Sequence, residues 1–413
     1  MPDRIRHPVV WIALVTVLTA ILAWVVLTAT ADVRAGDFQD SLQPFYTPPS
    51  PLPAGHPGEV LRVEVLHVDV PGGTGYRILY RSEDSRGRPT VSSGMVFVPP
   101  GPAPAAGRPV VAWAHGTIGL GAPCAPSRSQ NPLSDLPWLE QMLQQGWVVT
   151  ATDYAGVGTP GTPGYLILQD EARDVANSVR AAQGIAGAHA GNRWIAWGHS
   201  QGGHAVLGAG DIAPGYAPDL HLVAVAAAAP AAELRALLAQ QWNTTAAWVI
   251  GSDIVATWPT SYPSLAPSDV VTANGANHYA REASACLKGS LTTALVRQDL
   301  LGQDFFRMDP WDSPPWRSRF RQNTPRPMPA SIPLLLIQGL DDQVVLPNTT
   351  SLLLRKWCTA GARITTMWLG DTPHQTTAWV AAPTAIGWMT QRFAGQPATD
   401  NCTLTPPVAA YRG

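Results

Sequence analysis

The stretch that most limits how this chain can fold is Arg193-Trp194-Ile195-Ala196-Trp197-Gly198-His199-Ser200-Gln201-Gly202-Gly203-His204. A mostly apolar run leads up to Gly198, and a helix-compatible run comes after Gly202. Between them lies G-x-S-x-G, which after a strand and before a helix forces the serine onto a tight turn with its hydroxyl exposed. A turn this sharp brings backbones together, so a side chain at Gly198 or Gly202 would clash. With only three of five positions fixed, the pattern alone does not separate a nucleophile from an ordinary glycine turn. If Ser200 is a nucleophile, the rest of the chain must supply a base, an orienting acid and an oxyanion hole.

The surrounding rhythm sets the fold class. From residue 109 onward, apolar strand, loop and helix alternate, with strands expected at 109–114, 147–152, 193–197, 220–228, 332–338 and 364–369. Near-continuous apolar runs at the first, fourth and fifth of these are typical of parallel strands covered by helices on both faces. Helices are expected at 137–145, 170–186, 202–210, 348–360 and 376–393. The charges Asp170, Glu171, Arg173, Asp174 and Arg180 on the second read as a solvated face. Three strands at 59–68, 75–80 and 90–98, joined by short turns, suggest an antiparallel edge. The Pro-rich residues 36–58 read as an extended lead-in.

The rhythm fails between 228 and 332, a segment holding Trp242, Trp248, Trp258, Phe305, Phe306, Trp311 and Trp316. An insertion of that size reads as a cap over the C-terminal edge of the sheet, where ligands bind in open α/β folds. For each of its tryptophans, packing in the cap's own core is the default. The expected architecture is therefore α/β: a mostly parallel central sheet, helices on both faces and a mainly helical cap. The chain divides into an export segment (1–35), the first part of the core (36–228), the cap (229–331) and the second part of the core (332–413).

Arg4, Arg6 and His7 precede an uncharged run from 8 to 30, with small-residue sites at Ala29-Thr30-Ala31 and Val33-Arg34-Ala35. This pattern is that of a signal peptide. The apolar run also approaches the roughly 20 residues that span a bilayer, so an uncleaved anchor competes. Both place the remainder outside the cytoplasm, with the positive flank inside. A net charge of −2 gives no reason to expect nucleic acid as a partner. Four cysteines in an oxidising compartment suggest two disulfides, and Cys124, Cys286, Cys358 and Cys402 can pair in three ways. They form no C-x-x-C pair and no zinc-spaced cluster, so no metal is expected.

Ten histidines could serve as base. His7 lies in the export segment, His56 and His67 precede the sheet, His189 and His221 flank strands, and His278 is in the insertion. His199 and His204 are too close to Ser200 in sequence, and His115 comes directly after the first parallel strand. His374 remains, in the loop after the last strand, where the order Ser…Asp/Glu…His places the base. The acid comes after the strand 332–338, at Asp341 or Asp342. Asp342 precedes Gln-Val-Val-Leu-Pro and is the better candidate, Asp341 being the better turn former. The oxyanion hole needs two backbone N–H groups. One belongs to Gln201, after the nucleophile, and the other to Thr117 or Gly116 in the loop after 109–114.

These residues carry a resemblance. Phe45-Tyr-Thr-Pro-Pro, Tyr76-Arg-Ile-Leu-Tyr-Arg-Ser82, Val111-Ala-Trp-Ala-His-Gly-Thr117 and Thr152-Asp-Tyr-Ala-Gly-Val-Gly-Thr-Pro-Gly161 are four of the matching pieces. Gly198-His-Ser-Gln-Gly-Gly203, Gly339-Leu-Asp-Asp-Gln-Val-Val345 and Gly370-Asp-Thr-Pro-His374 are the others. Together they resemble the secretory lipases, the lipase A-like group of α/β-hydrolases. The resemblance implies an exported esterase or lipase, with a helical cap over the site, acting on lipid or small ester substrates. The reaction needs no metal or organic cofactor, and the cap's aromatic residues would line an acyl tunnel or meet a lipid interface. It also implies the pairing Cys124–Cys286 and Cys358–Cys402. An acyltransferase using the same acyl-enzyme, and a silent lipid-binding protein on the same fold, are the alternatives. Oligomeric state is not legible.

Overall fold

The computed structural model describes residues 16, 19, 33–136 and 138–412. The chain separates into two units, residues 1–47 and 48–413. Nearly all of the export segment lies outside the described residues. Among the described residues no helix is long and apolar enough to cross a membrane. In the first unit, residues 33–46 form helix α1. This corrects the extended lead-in expected there: no proline between 33 and 43 interrupts the run, so nothing breaks a helix before its last turn.

The second unit is built on nine strands. They are β1 (Val60–Val65), β2 (Thr74–Glu83), β3 (Pro89–Val98), β4 (Arg108–Ala114), β5 (Val148–Thr152), β6 (Ala190–His199), β7 (His221–Ala228), β8 (Leu334–Gly339) and β9 (Ile364–Leu369). Their order in the sheet is β1-β2-β3-β5-β4-β6-β7-β8-β9. β1 to β3 form the antiparallel edge, and β3 joins β5 antiparallel. From β5 through β4, β6, β7 and β8 to β9 all pairings are parallel. Every residue of β8 is buried, as the unbroken apolar run predicts for a strand with both faces covered.

Helices α2 (Leu139–Gln144) and α11 (Thr377–Phe393) pack on one face. Helices α3 (Leu168–Gln183), α4 (Gln201–Tyr216) and α10 (Pro347–Thr359) pack on the other. Two of these helices depart from expectation. α4 runs on to Tyr216, past Gly210, where the sequence suggested a stop. Gly210 is a packing glycine, since a Cβ there would overlap the Met328 thioether. On α3 the charged face is not solvated, because Glu171 and Asp174 are buried. Asp174 Oδ2 accepts the Ala155 N–H at 2.7 Å, and burial pushes its carboxyl up to about 7. α3 packs against α4, β2 and β5, so these two charges point into protein.

Between β7 and β8 lie five α-helices: α5 (Leu234–Gln241), α6 (Thr245–Ser261), α7 (Ala273–Ser284), α8 (Leu287–Leu295) and α9 (Pro314–Gln322). They enclose a core of their own that buries Trp248, Trp258, Trp316, Phe305 and Phe320. Three links tie this insertion to the loop after β4. Leu120 N–H donates to the Ala283 carbonyl and Leu287 N–H to the Ile118 carbonyl, each at 2.8 Å. Cys124 is disulfide-bonded to Cys286, with Cα atoms 5.2 Å apart. The second bond, Cys358–Cys402, fastens the C-terminal tail to α10 with Cα atoms 5.4 Å apart.

The first bond spans 162 residues and the second 44. Longer closed loops restrict the unfolded chain more, giving each bond about 4–5 kcal/mol in the chain-entropy limit. Cys124→Ala/Cys286→Ala is therefore expected to lower the denaturant midpoint at least as far as Cys358→Ala/Cys402→Ala, as equilibrium unfolding would measure.

Candidate active site

Backbone contact fixes the centre of the site. A Cβ on Gly198 would overlap the Gly202 carbonyl, and one on Gly202 would overlap the Ala114 carbonyl. The turn after β6 is thereby pressed against the end of β4. Ser200 between them has φ 57° and ψ −116°, a strained pair for a residue with a side chain. The Ser200 N–H donates to the Ala228 carbonyl at 3.0 Å, and its carbonyl accepts the His204 and Ala231 N–H groups. These bonds hold the strain in place.

Ser200 Oγ lies 2.9 Å from His374 Nε2, and His374 Nδ1 lies 2.8 Å from Asp342 Oδ2. All three residues are buried. The carboxylate accepts, so Nδ1 carries the hydrogen and Nε2 is free to accept from the serine. Asp342 is held from every side: Oδ1 accepts the Val344 and Val345 N–H groups at 2.8 Å each, and Oδ2 also accepts Gln338 Nε2–H at 3.2 Å. Asp341, the competing aspartate, is exposed. His374 opens a short 3-10 turn that leads into α11.

The two expected donors flank Ser200. Gln201 is the first residue of α4, so its N–H has no partner within the helix. Among the described residues, neither it nor the Thr117 N–H donates to a protein acceptor. Gly116 comes so close that a Cβ on it would sit 3.4 Å from Ser200 Cβ. Thr117, Gln201 and Ser200 share a cavity walled mainly by apolar residues, among them Leu234, Leu238, Ile254 and Phe306 from the insertion. A second opening reaches Ser200 past Gly116, His199, His374 and Leu287. A carbonyl placed at Ser200 would thus lie near an imidazole, two N–H groups without protein acceptors and a largely apolar wall. Among the described residues no cluster of metal-ligating side chains occurs.

Two residues of this site escaped sequence reasoning. His199, set aside for its closeness to Ser200, donates from Nε2 to the His374 carbonyl at 2.9 Å, with ring centroids 4.6 Å apart. Burial and the neighbouring His374 lower its pKa to about 3, so it stays neutral beside the His374 ring. Glu171, read as a surface charge, accepts Gln201 Nε2–H at 2.7 Å. Its charged neighbours on α3 suggested an outward face, and only the packing of α4 over it in the folded chain reveals the contact.

His199 also sets a pH dependence. Its folded pKa lies below its unfolded value near 6.5, so the unfolded state takes up the proton first. The stability it contributes is complete above pH 6.5 and is lost as pH falls toward 3. In His199→Gln that dependence disappears. The stability difference between variant and parent should drift in the variant's favour through this window, by at most about 1.4 kcal/mol per pH unit, in urea melts run at stepped pH.

Comparison with known proteins gives a family by sequence and a fold by structure. The model of the secretory lipase family matches residues 133–401. A Mycobacterium tuberculosis protein named a probable inactive lipase is 28% identical over 390 residues, covering 88% of this chain and 84% of that protein. Lipase 5 of Candida albicans is 24% identical over 416 residues, covering 92% and 87%. Among solved structures, lipase A of Candida antarctica in its closed state superposes with a TM-score of 0.70 at 17% identity, over 89% of each chain. A rice cell wall degrading esterase from Xanthomonas oryzae does so at 0.67 and 18%, over 83% of this chain and 100% of that one. The fold is that of the α/β-hydrolases.

Proposed function

Since the chain belongs to the secretory lipase family, we propose that it is an exported serine hydrolase of carboxylic esters. The observation that carries this reading is the unbroken line from Ser200 Oγ through His374 to Asp342 at 2.9 and 2.8 Å. His374 Nε2 takes the serine proton as Oγ attacks the ester carbonyl, while Asp342 orients the ring and stabilises its cation. The N–H groups of Gln201 and of Thr117 or Gly116 hold the developing oxyanion. The tetrahedral intermediate collapses to an acyl-enzyme as His374 protonates the leaving alcohol. Water then attacks the acyl group, giving up its proton to His374, and Ser200 leaves with that proton.

The apolar cavity suits the acyl chain of a lipid ester, and the opening past His374 and Leu287 suits the alcohol. In this reading the insertion acts as a cap that sets chain length. The two disulfides and the family's secretory character agree with an oxidising location. A relative named probable inactive lipase favours a second reading, a silent protein on the same fold. The complete Ser200–His374–Asp342 line weighs against it here.

Rates on p-nitrophenyl acyl esters from short to long separate these readings. Turnover is expected in the parent and its loss in Ser200→Ala, with Asp342→Asn down about 10⁴-fold in kcat. Unchanged turnover in Ser200→Ala would exclude the proposed nucleophile. Leu238 lines the acyl cavity. Leu238→Trp should shift the optimum on the same ladder to shorter chains, and Leu238→Ala to longer ones.

A further inference from the structure

The two halves of the oxyanion hole come from segments 84 positions apart, Thr117 after β4 and Gln201 after β6. Two donors act on one oxygen only if their separation is fixed to a fraction of an ångström. A buried circuit joins them. Glu171 Oε1 accepts Gln201 Nε2–H at 2.7 Å and also the backbone N–H of Leu166 at 2.9 Å. Leu166 is covalently next to Tyr165, whose hydroxyl lies 2.8 Å from Thr117 Oγ1. The path Gln201–Glu171–Leu166–Tyr165–Thr117 therefore runs from one donor residue to the other, and each of these residues but Glu171 also lines the cavity at Ser200.

The circuit is anchored on its outer side. Glu171 Oε2 lies 3.2 Å from His204 Nδ1, and His204 Nε2 donates to the Asn323 carbonyl at 2.7 Å. Trp258 Nε1–H donates to the Tyr165 carbonyl at 2.8 Å. Asn323 and Trp258 belong to the insertion, so the insertion braces the circuit. Leu166 has φ 50°, a left-handed backbone that a branched side chain rarely adopts. The Glu171 carboxyl on its N–H helps keep it there, and with it the direction of Tyr165. Glu171, Gln201, Tyr165 and His204 are all buried. The bonds to Glu171 are shielded from water, and a lost partner there leaves a buried group unsatisfied.

We propose that Glu171 and Tyr165 are positioning residues that hold the two oxyanion donors in register, a role resting on the hydrolase reading above. Neither touches the reacting atoms. Both act through Gln201 and Thr117, so their loss should be felt when charge develops on the carbonyl oxygen and hardly at all when the ester merely binds.

The test uses the full chain and three variants. Tyr165→Phe removes one hydroxyl and keeps the ring. Glu171→Leu removes both acceptors. Glu171→Gln keeps a carbonyl oxygen where Oε1 lies and offers its amide to His204 Nδ1. Each is assayed for kcat and KM on one p-nitrophenyl ester. Each is also titrated with an alkyl boronic acid, which forms a tetrahedral adduct on serine, and with the alkyl carboxylate of the same length, which does not. We expect kcat to fall on the order of tenfold in Tyr165→Phe and more in Glu171→Leu, a fraction of the loss seen when a donor itself is removed. Boronate affinity should fall in parallel, KM and carboxylate affinity should stay level, and Glu171→Gln should restore most of the rate. Should Glu171→Leu fail to fold, Tyr165→Phe carries the test. An active parent with a Tyr165→Phe variant that keeps both its kcat and its boronate affinity overturns the positioning role alone. A parent inert toward both ester and boronate overturns the hydrolase reading and the positioning role with it.

Discussion

Everything at the site depends on one backbone contact, the seating of Gly202 against the carbonyl at the end of β4. Hydrogen leaves room where any side chain would not, so the turn after β6 lies directly over the loop after β4. That contact brings Ser200 beside Gly116 and Thr117, and it starts α4 with the free N–H of Gln201 beside the same opening. The strain of the Ser200 backbone, about 1–3 kcal/mol for such a conformation, is sustained by the bonds to Ala228, His204 and Ala231. The sheet supplies the rigidity: β4, β6, β7 and β8 are adjacent and parallel, so their C-terminal ends present Thr117, Ser200 and Asp342 at one edge.

The insertion completes this edge in two ways. It walls the cavity with apolar side chains, and it is fastened to the loop after β4 by two backbone bonds and a disulfide. A free-standing helical cap would leave Thr117 on a loose loop. Here the loop is tied to α7 and α8, while Asn323 and Trp258 also bond to the network around Glu171. Cavity shape and the geometry of the proposed oxyanion hole are consequently properties of the same set of contacts.

Much of this was legible in the residues. The run up to Gly198, the glycine pair and the helix after it identify the turn because a sharp strand-to-helix connection tolerates little else. The apolar strands at 109–114, 220–228 and 332–338 stood out because both of their faces are covered. Asp342 could be preferred to Asp341 on the Gln-Val-Val-Leu-Pro run after it, and the structure leaves Asp341 exposed. Glu171, Tyr165 and His199 were not legible, for a common reason. Their contacts lie across the fold, and local pattern gives only the element a residue sits on. Charge on α3 looks the same whether the helix meets water or a buried glutamine. Gly210 misled for a related reason: in sequence a glycine marks a helix end, whereas here it admits Met328. Within the insertion, residues 229–331, no strand rhythm constrains the chain, and only its helical character and its aromatic core could be anticipated.

The central claim is that Ser200 is a nucleophile primed by His374. It is tested most directly by treating the folded protein with p-nitrophenyl diethyl phosphate, which phosphorylates activated serines, and locating the adduct by peptide mass spectrometry. The account predicts one diethylphosphoryl group per chain, on the peptide holding Ser200, with none on His374→Ala protein treated alongside. A folded protein that stays unmodified, or that carries the group on another residue, would contradict it.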